Sequence, residues 1–268
     1  MCKVCGCNQA EVTIESTHGH HHEHHHNQHL NFEKPSPELS ESTSRIIEIE
    51  QNILSKNNYY AGLNREKWSA DQIFAINFIS SPGSGKTTLL TEIIKSIKAK
   101  HCIYVIEGDQ QTALDATRIR ETGVQALQIN TGKGCHLDAQ MVGHAAKHLA
   151  MQKNAFLFIE NVGNLICPAG FDLGEAHKVV ILSVTEGEDK PLKYPEIFHA
   201  ADLLVINKID LLPYVNFNLQ QCCDYAKQIN PKIEIIRLST TSGENMEQLS
   251  AWLIAGKAKL QSDQKKLS

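Results

Sequence analysis

The sequence predicts an α/β fold, a mostly parallel sheet with helices on both faces, preceded by a disordered N-terminal tail. Three observations predict it. From Ile73 onward, short apolar runs alternate with helical stretches, the pattern of strands buried on both faces and joined by crossover helices. Residues Phe78 to Leu90 read F-I-S-S-P-G-S-G-K-T-T-L-L: an apolar run, a glycine-containing turn, then an apolar-periodic run. Polar and charged residues gather at the downstream ends of most of the apolar runs, where an open parallel sheet builds its sites.

Composition narrows the function. A chain of 268 residues with 41% hydrophobic content supplies one core of about 200 residues plus appendages. A net charge of −4 argues against a nucleic-acid or anionic-membrane partner recognised through a global basic field. No apolar run approaches the ~20 residues that span a bilayer, and the first residues lack the basic and apolar blocks of a signal peptide. Eight cysteines then point to a reducing compartment, the cytoplasm, where thiols are ligands more often than bridges.

Taken in order, residues 1–30 form a Cys/His-rich tail. Cys2, Cys5 and Cys7 are spaced C-x2-C-x-C, close enough for three thiolates to reach one soft ion such as Zn²⁺ or Ni²⁺. His18, His20, His21, His22, His24, His25, His26 and His29 follow, a tract that holds such ions weakly without a fold. Gly19 and Glu23 interrupt it, unlike an engineered tag. Residues 31–66 read as a linker and amphipathic helix. Ser36 is the N-cap and Pro37 the first helical residue; Ile46, Ile49 and Ile53, with Ile47 and Leu54 beside them, form a stripe expected to pack on the main domain or on a partner. Residues 67–258 carry that domain, with strands expected at 73–80, 102–107, 124–130, 155–160, 178–184, 202–207 and 233–238. Helices are expected at 87–99, 111–122, 138–152, 217–229 and 244–256, and a polar tail at 259–268.

The first strand leads into Gly83-Ser84-Gly85-Lys86-Thr87-Thr88. Glycines let successive backbone N–H groups face phosphate oxygens, and the next helix adds its positive end. Lys86 supplies a point charge for the β- and γ-phosphates; Thr87 is placed to ligate Mg²⁺. Ser80 stands where the first glycine of G-x4-G-K-[ST] is usual. This is the strand, loop and helix of a P-loop NTPase. Asp109, at the end of the second strand, and Glu160, at the tip of the fourth, are candidates for the metal or the attacking water, with Lys86 as the third catalytic candidate. Glu160 to Gly163 has the E-x-x-G form of a switch in which the Gly163 N–H senses the γ-phosphate. Asn207-Lys208-Ile209-Asp210 is N-K-x-D: the Asp210 carboxylate only accepts, and so selects guanine, which offers N1–H and a 2-amino group. Lys208 would cover the base, Asn207 would tie loops together, and Ser239 and Thr240 would form a last base-side loop. The nucleotide is therefore GTP. Cys135, His136 and Cys167 offer soft ligands from two loops, although singly each also reads as a buried thiol or a capping histidine. Cys102, Cys222 and Cys223 read as core or surface thiols, and His144 and His148 as structural.

The C-x2-C-G-C start, the His tract, S-S-P-G-S-G-K-T-T, E-G-D, T-G-K-G-C-H-L-D-A, E-N-V-G-N-L-I-C-P and N-K-I-D together resemble the hydrogenase nickel-incorporation GTPases of the HypB family. The resemblance spans nearly the whole chain. It implies a GTPase that dimerises with nucleotide, works with a HypA-type metallochaperone and delivers Ni²⁺ to a hydrogenase large-subunit precursor. It also implies a tight nickel site at Cys2, Cys5 and Cys7, and a weaker Ni²⁺ or Zn²⁺ site at Cys135, His136 and Cys167 near the dimer interface. Two alternatives stand beside it. One is a metal-storage protein with a regulatory nucleotide domain; the other is a urease maturation factor. A small-molecule kinase shares the loop but not N-K-x-D.

Overall fold

A computed structural model describes residues 37–110 and 114–267. The tail ligands Cys2, Cys5 and Cys7 and the His18–His29 tract lie outside the described residues. The chain divides between Ser55 and Lys56 into two units, and helix α1 (Pro37–Ala70) crosses that division. Ile49, Ile53 and Leu54, the stripe expected to pack, are exposed. The helix buries instead Asn57, Ala61, Asn64 and Trp68, at i, i+4, i+7 and i+11, one face of a 3.6-residue period. Two of those four are asparagines, which an apolar-period reading passes over. The Asn57 amide donates to the Asp172 carbonyl at 2.8 Å, and that of Asn64 to the Ala139 and Leu173 carbonyls at 2.8 and 2.9 Å.

All seven expected strands form: β1 (Phe74–Ser80), β2 (Ile103–Asp109), β3 (Gln125–Asn130), β4 (Phe156–Glu160), β5 (His177–Ser183), β6 (Leu203–Asn207) and β7 (Glu234–Arg237). They make one sheet in the order β3-β2-β4-β1-β5-β6-β7, and every pairing is parallel. The two-residue period of the strands sorts side chains cleanly. Phe74, Ile76, Phe78, Phe156, Phe158, Val179 and Ile181 face α2 (Lys86–Ile97) and α8 (Met246–Leu267). Their alternates face the other side. Ala75, Ile106 and Leu157 meet Trp68 and α4 (Ala139–His148); Val180, Leu182 and Leu204 meet α6 (Pro195–Ala200) and α7 (Leu219–Ile229).

Between these, α3 (Leu114–Arg120) follows β2 and the four-residue α5 (Lys190–Lys193) precedes α6. Neither α5 nor α6 is readable from periodicity, being only 4 and 6 residues long, each with a proline in its first two positions. The expected polar tail from 259 is a continuation of α8, where Leu260 packs partly buried on the core. Both β1 and β4 lie in the middle of the sheet, so the loops leaving their carboxyl ends share one crevice.

Candidate nucleotide and metal sites

The phosphate loop joins β1 to α2. Ser80 still belongs to β1, where a side chain is tolerated, and its hydroxyl donates to the Ser81 carbonyl at 2.9 Å. The later glycines are demanded by conformation: Gly83 has φ 76° and Gly85 φ 91°. At Gly85 a Cβ would also come within 2.7 Å of the Asn207 amide nitrogen. The loop, Lys86 and Thr87 line an open cleft of about 560 Å³ that also reaches Glu107, Asp109 and Gly163.

Glu160 lies at the phosphate-loop end of this cleft. It is 1% exposed, and its Oε1 accepts from Lys86 Nζ at 2.9 Å and from the Thr87 hydroxyl at 2.6 Å. Its neighbour across the β2–β4 ladder is Glu107, also buried. Burial pushes the Glu107 carboxyl up to about 8, and the nearby Glu160 and Asp109 charges push the same way against Lys86. One oxygen of each glutamate, Oε2, is buried without a hydrogen-bond partner. Such a pair calls for a shared proton or a cation. The sequence signal for Glu107 is a charged residue inside an apolar run, two before Asp109 on the same strand, and its pairing with Glu160 comes only from the β2–β4 register. Asp109 accepts from the Gln110 N–H at 2.7 Å and lines the same cleft.

On the base side, Asn207 ties three segments together. Its amide donates to the Ser84 carbonyl at 3.0 Å, and its oxygen accepts from the N–H of Lys208 and from the N–H and hydroxyl of Thr240. Lys208 adopts φ 63° and sends its ammonium to the Gly83 carbonyl at 2.7 Å. Asp210, in the 3₁₀ turn Ile209–Tyr214, accepts from the Ser239 hydroxyl at 2.5 Å, which fixes the carboxylate.

The soft ligands also converge. Cys135, His136 and Cys167 present ligand atoms all within 4.8 Å of one another, the one such group of three among the described residues. The Cys135 thiol donates to the Cys167 sulfur at 2.6 Å, and His136 Nδ1 lies 3.6 Å from the Cys135 sulfur. Burial lowers the His136 pKa, outweighing the opposite pull of Asp138, and its ring sits 3.9 Å from that of Phe171. A neutral imidazole and two thiols suit a borderline-soft ion and not Mg²⁺.

The two sites are joined by Asn161, which directly follows Glu160 and is buried. Its side-chain oxygen accepts from the N–H of Leu137, next to His136, at 3.1 Å, and from the Val162 N–H at 3.0 Å. Its amide donates to Asn77 on β1 at 3.3 Å. Gly163 then passes so close to the phosphate loop that a Cβ there would lie 3.2 Å from Pro82.

A parallel, helix-covered sheet with this loop defines a nucleotide-binding domain of the P-loop NTPase class. Residues 74–237 match the family described as "CobW/HypB/UreG, nucleotide-binding domain". The hydrogenase maturation factor HypB of Azotobacter vinelandii is 54% identical over 277 residues, covering 94% of this chain and 91% of that protein. HypB of Rhizobium leguminosarum bv. viciae is 61% identical over 212 residues, covering 79% of this chain and 71% of that protein. Among solved structures, HypB from Helicobacter pylori in complex with nickel superposes with a TM-score of 0.73 at 40% identity, over 76% of this chain and 96% of that one. The chain belongs to the HypB hydrogenase maturation factors of the CobW/HypB/UreG family.

Proposed function

We propose that this chain is a GTP-hydrolysing nickel metallochaperone that assists nickel insertion into hydrogenase. The observation that carries this reading is the placement of both sites on the end of one strand. Glu160 of β4 holds Lys86 and Thr87 of the phosphate loop, and Asn161, the next residue, holds the Cys135–Leu137 loop. The guanine preference rests on Asp210, an acceptor fixed by Ser239.

Mg²⁺ fits the donors present: buried, unpartnered carboxylate oxygens at Glu107 and Glu160 beside the Thr87 hydroxyl form a hard oxygen set. Thr87, Glu160 and Asp109 would hold the ion, which supplies charge neutralisation between the β- and γ-phosphates. Lys86 offers the γ-phosphate a cation, the Gly83–Thr88 backbone cradles the β-phosphate, and Gly163 gives the switch an N–H to lose when the γ-phosphate departs. Nickel is the cargo, with Zn²⁺ an alternative occupant of Cys135, His136 and Cys167 because both ions accept this donor set. The tail at Cys2, Cys5 and Cys7 is the tight nickel site and the His tract a reserve. A GTP-dependent homodimer, a HypA-type metallochaperone and a hydrogenase large-subunit precursor are its partners, in the cytoplasm. No described helix is long and apolar enough to cross a membrane.

The test is nickel binding by the full chain with GDP and with a non-hydrolysable GTP analogue, each compared with Cys167→Ala. The expected outcome is an increment of bound nickel that disappears with Cys167→Ala and whose affinity differs between the nucleotide states. An increment of equal affinity in both states rejects the GTP-driven role.

A further inference from the structure

Helix α4 begins three residues after His136, capped by the Asp138 carboxylate, which accepts from the Met141 N–H at 2.7 Å. One face of it is buried through Val142, Ala145, Ala146 and Leu149, so the backbone is fixed against the sheet. The opposite face carries His144 and His148, one turn apart and both exposed, with ring centroids 5.0 Å apart and edge to face. Two imidazoles at i and i+4 on a rigid helix are the spacing with which helices chelate a divalent transition ion, because both ring nitrogens reach one point on the same side.

Only side-chain torsions need to change for both nitrogens to meet, and exposed rings turn freely between rotamers. Imidazole donors select Ni²⁺, Zn²⁺ or Cu²⁺ and reject Mg²⁺. With two protein ligands the remaining positions fall to water, and the Lys147 ammonium on the same exposed surface opposes a cation. Both features make the site weak and quickly exchanging. Eight residues of mostly helical rise place it on the order of 10–15 Å from His136.

We propose that His144 and His148 form a third metal station, a low-affinity chelate for Ni²⁺ or a similar ion on the outer face of α4. It is separate from the Cys135/His136/Cys167 site and from the N-terminal tail. A weak station on the helix that starts at the internal site offers an exchangeable ion close to that site without the slow release of thiolate ligands. The inference does not depend on GTP hydrolysis, so failure of the GTPase reading leaves it untouched.

The test is residue-resolved labelling of histidines in the full chain with diethyl pyrocarbonate, read by peptide mass spectrometry, with nickel chloride added beyond the capacity of the tail. At free nickel about ten times the dissociation constant, labelling of His144 and His148 is expected to fall together by about tenfold. Exposed His199 keeps its rate, and Mg²⁺ protects neither. His148→Gln is expected to return His144 to its metal-free rate while GTP turnover stays unchanged. Unaltered labelling of both rings at saturating nickel overturns the proposal. So does protection of His144 that persists in His148→Gln, which would mean single-imidazole binding.

Discussion

At the scale of single residues, Glu107 departs sharply from the behaviour of an ordinary carboxylate. Its carboxyl titrates near 8 in the fold, against the ordinary carboxylate value of 4.5. The native state therefore holds a proton that the unfolded chain has released, and stability is lost as pH rises between those values. Glu107→Gln has no such proton to lose. In metal-free, nucleotide-free protein, its melting temperature should gain on the parent steadily from pH 5 to pH 8; parallel curves would show that Glu107 does not titrate there. Asp210 tests the base side. Replacing it with Asn substitutes a donor where guanine also donates, leaving a buried clash of like groups worth at least about 10²-fold in GTP affinity. Xanthosine triphosphate, which offers a carbonyl at that edge, should recover the binding in Asp210→Asn. Motif residues such as Lys86, Asn207 and Asp210 were legible because their spacing carries their chemistry. Glu107 was not, since only the β2–β4 register sets it beside Glu160.

At the scale of elements, β1, β4, β5 and β6 are legible because strands buried on both faces read as continuous apolar runs, while the edge strands β3 and β7, only partly buried, are read from shorter apolar stretches. The element least legible in sequence is α1. Its exposed isoleucines look like a packing face, while the face that packs is anchored by Asn57 and Asn64. These amides donate to the Asp172 and Leu173 carbonyls in the loop before β5 and to the Ala139 carbonyl at the start of α4. Asn64 is also met closely by Gly174, whose φ of 92° and near contact with the Asn64 Cβ leave no room for a side chain. Asn64→Leu preserves size and apolar burial but removes the amide from the Leu173 carbonyl and from the start of α4, at a cost of about 1–3 kcal/mol. Chemical denaturation should show a lower midpoint with an unchanged slope. An unaltered midpoint would mean that water replaces the amide and that α1 docks by Ala61 and Trp68 alone.

At the scale of the whole molecule, what matters is whether the nucleotide and metal sites share a free energy. Sequence order places Cys167 four residues after Gly163, which suggests one route between them. The fold adds a shorter one through Asn161, whose single side chain bonds the N–H of Leu137 beside His136, the N–H of Val162 and Asn77 on β1. A rearrangement at Gly163 that turns Asn161 must release the Leu137 N–H or drag it along. Coupling of this kind is reciprocal: if exchanging GDP for a GTP analogue changes nickel affinity by some factor, nickel changes the preference between those nucleotides by the same factor. A factor between about 5 and 150 corresponds to 1–3 kcal/mol, the range of ordinary allosteric coupling. Asn161→Ala removes the shared side chain but leaves Cys135, His136, Cys167, Lys86 and Thr87 in place. Measured around the full cycle of nickel and nucleotide, it should keep both ligands bound while the coupling factor falls toward one. A factor that survives Asn161→Ala would assign the coupling to the Cys167 route, and unequal factors around the cycle would mean that the two ligands were not measured at the same pair of sites.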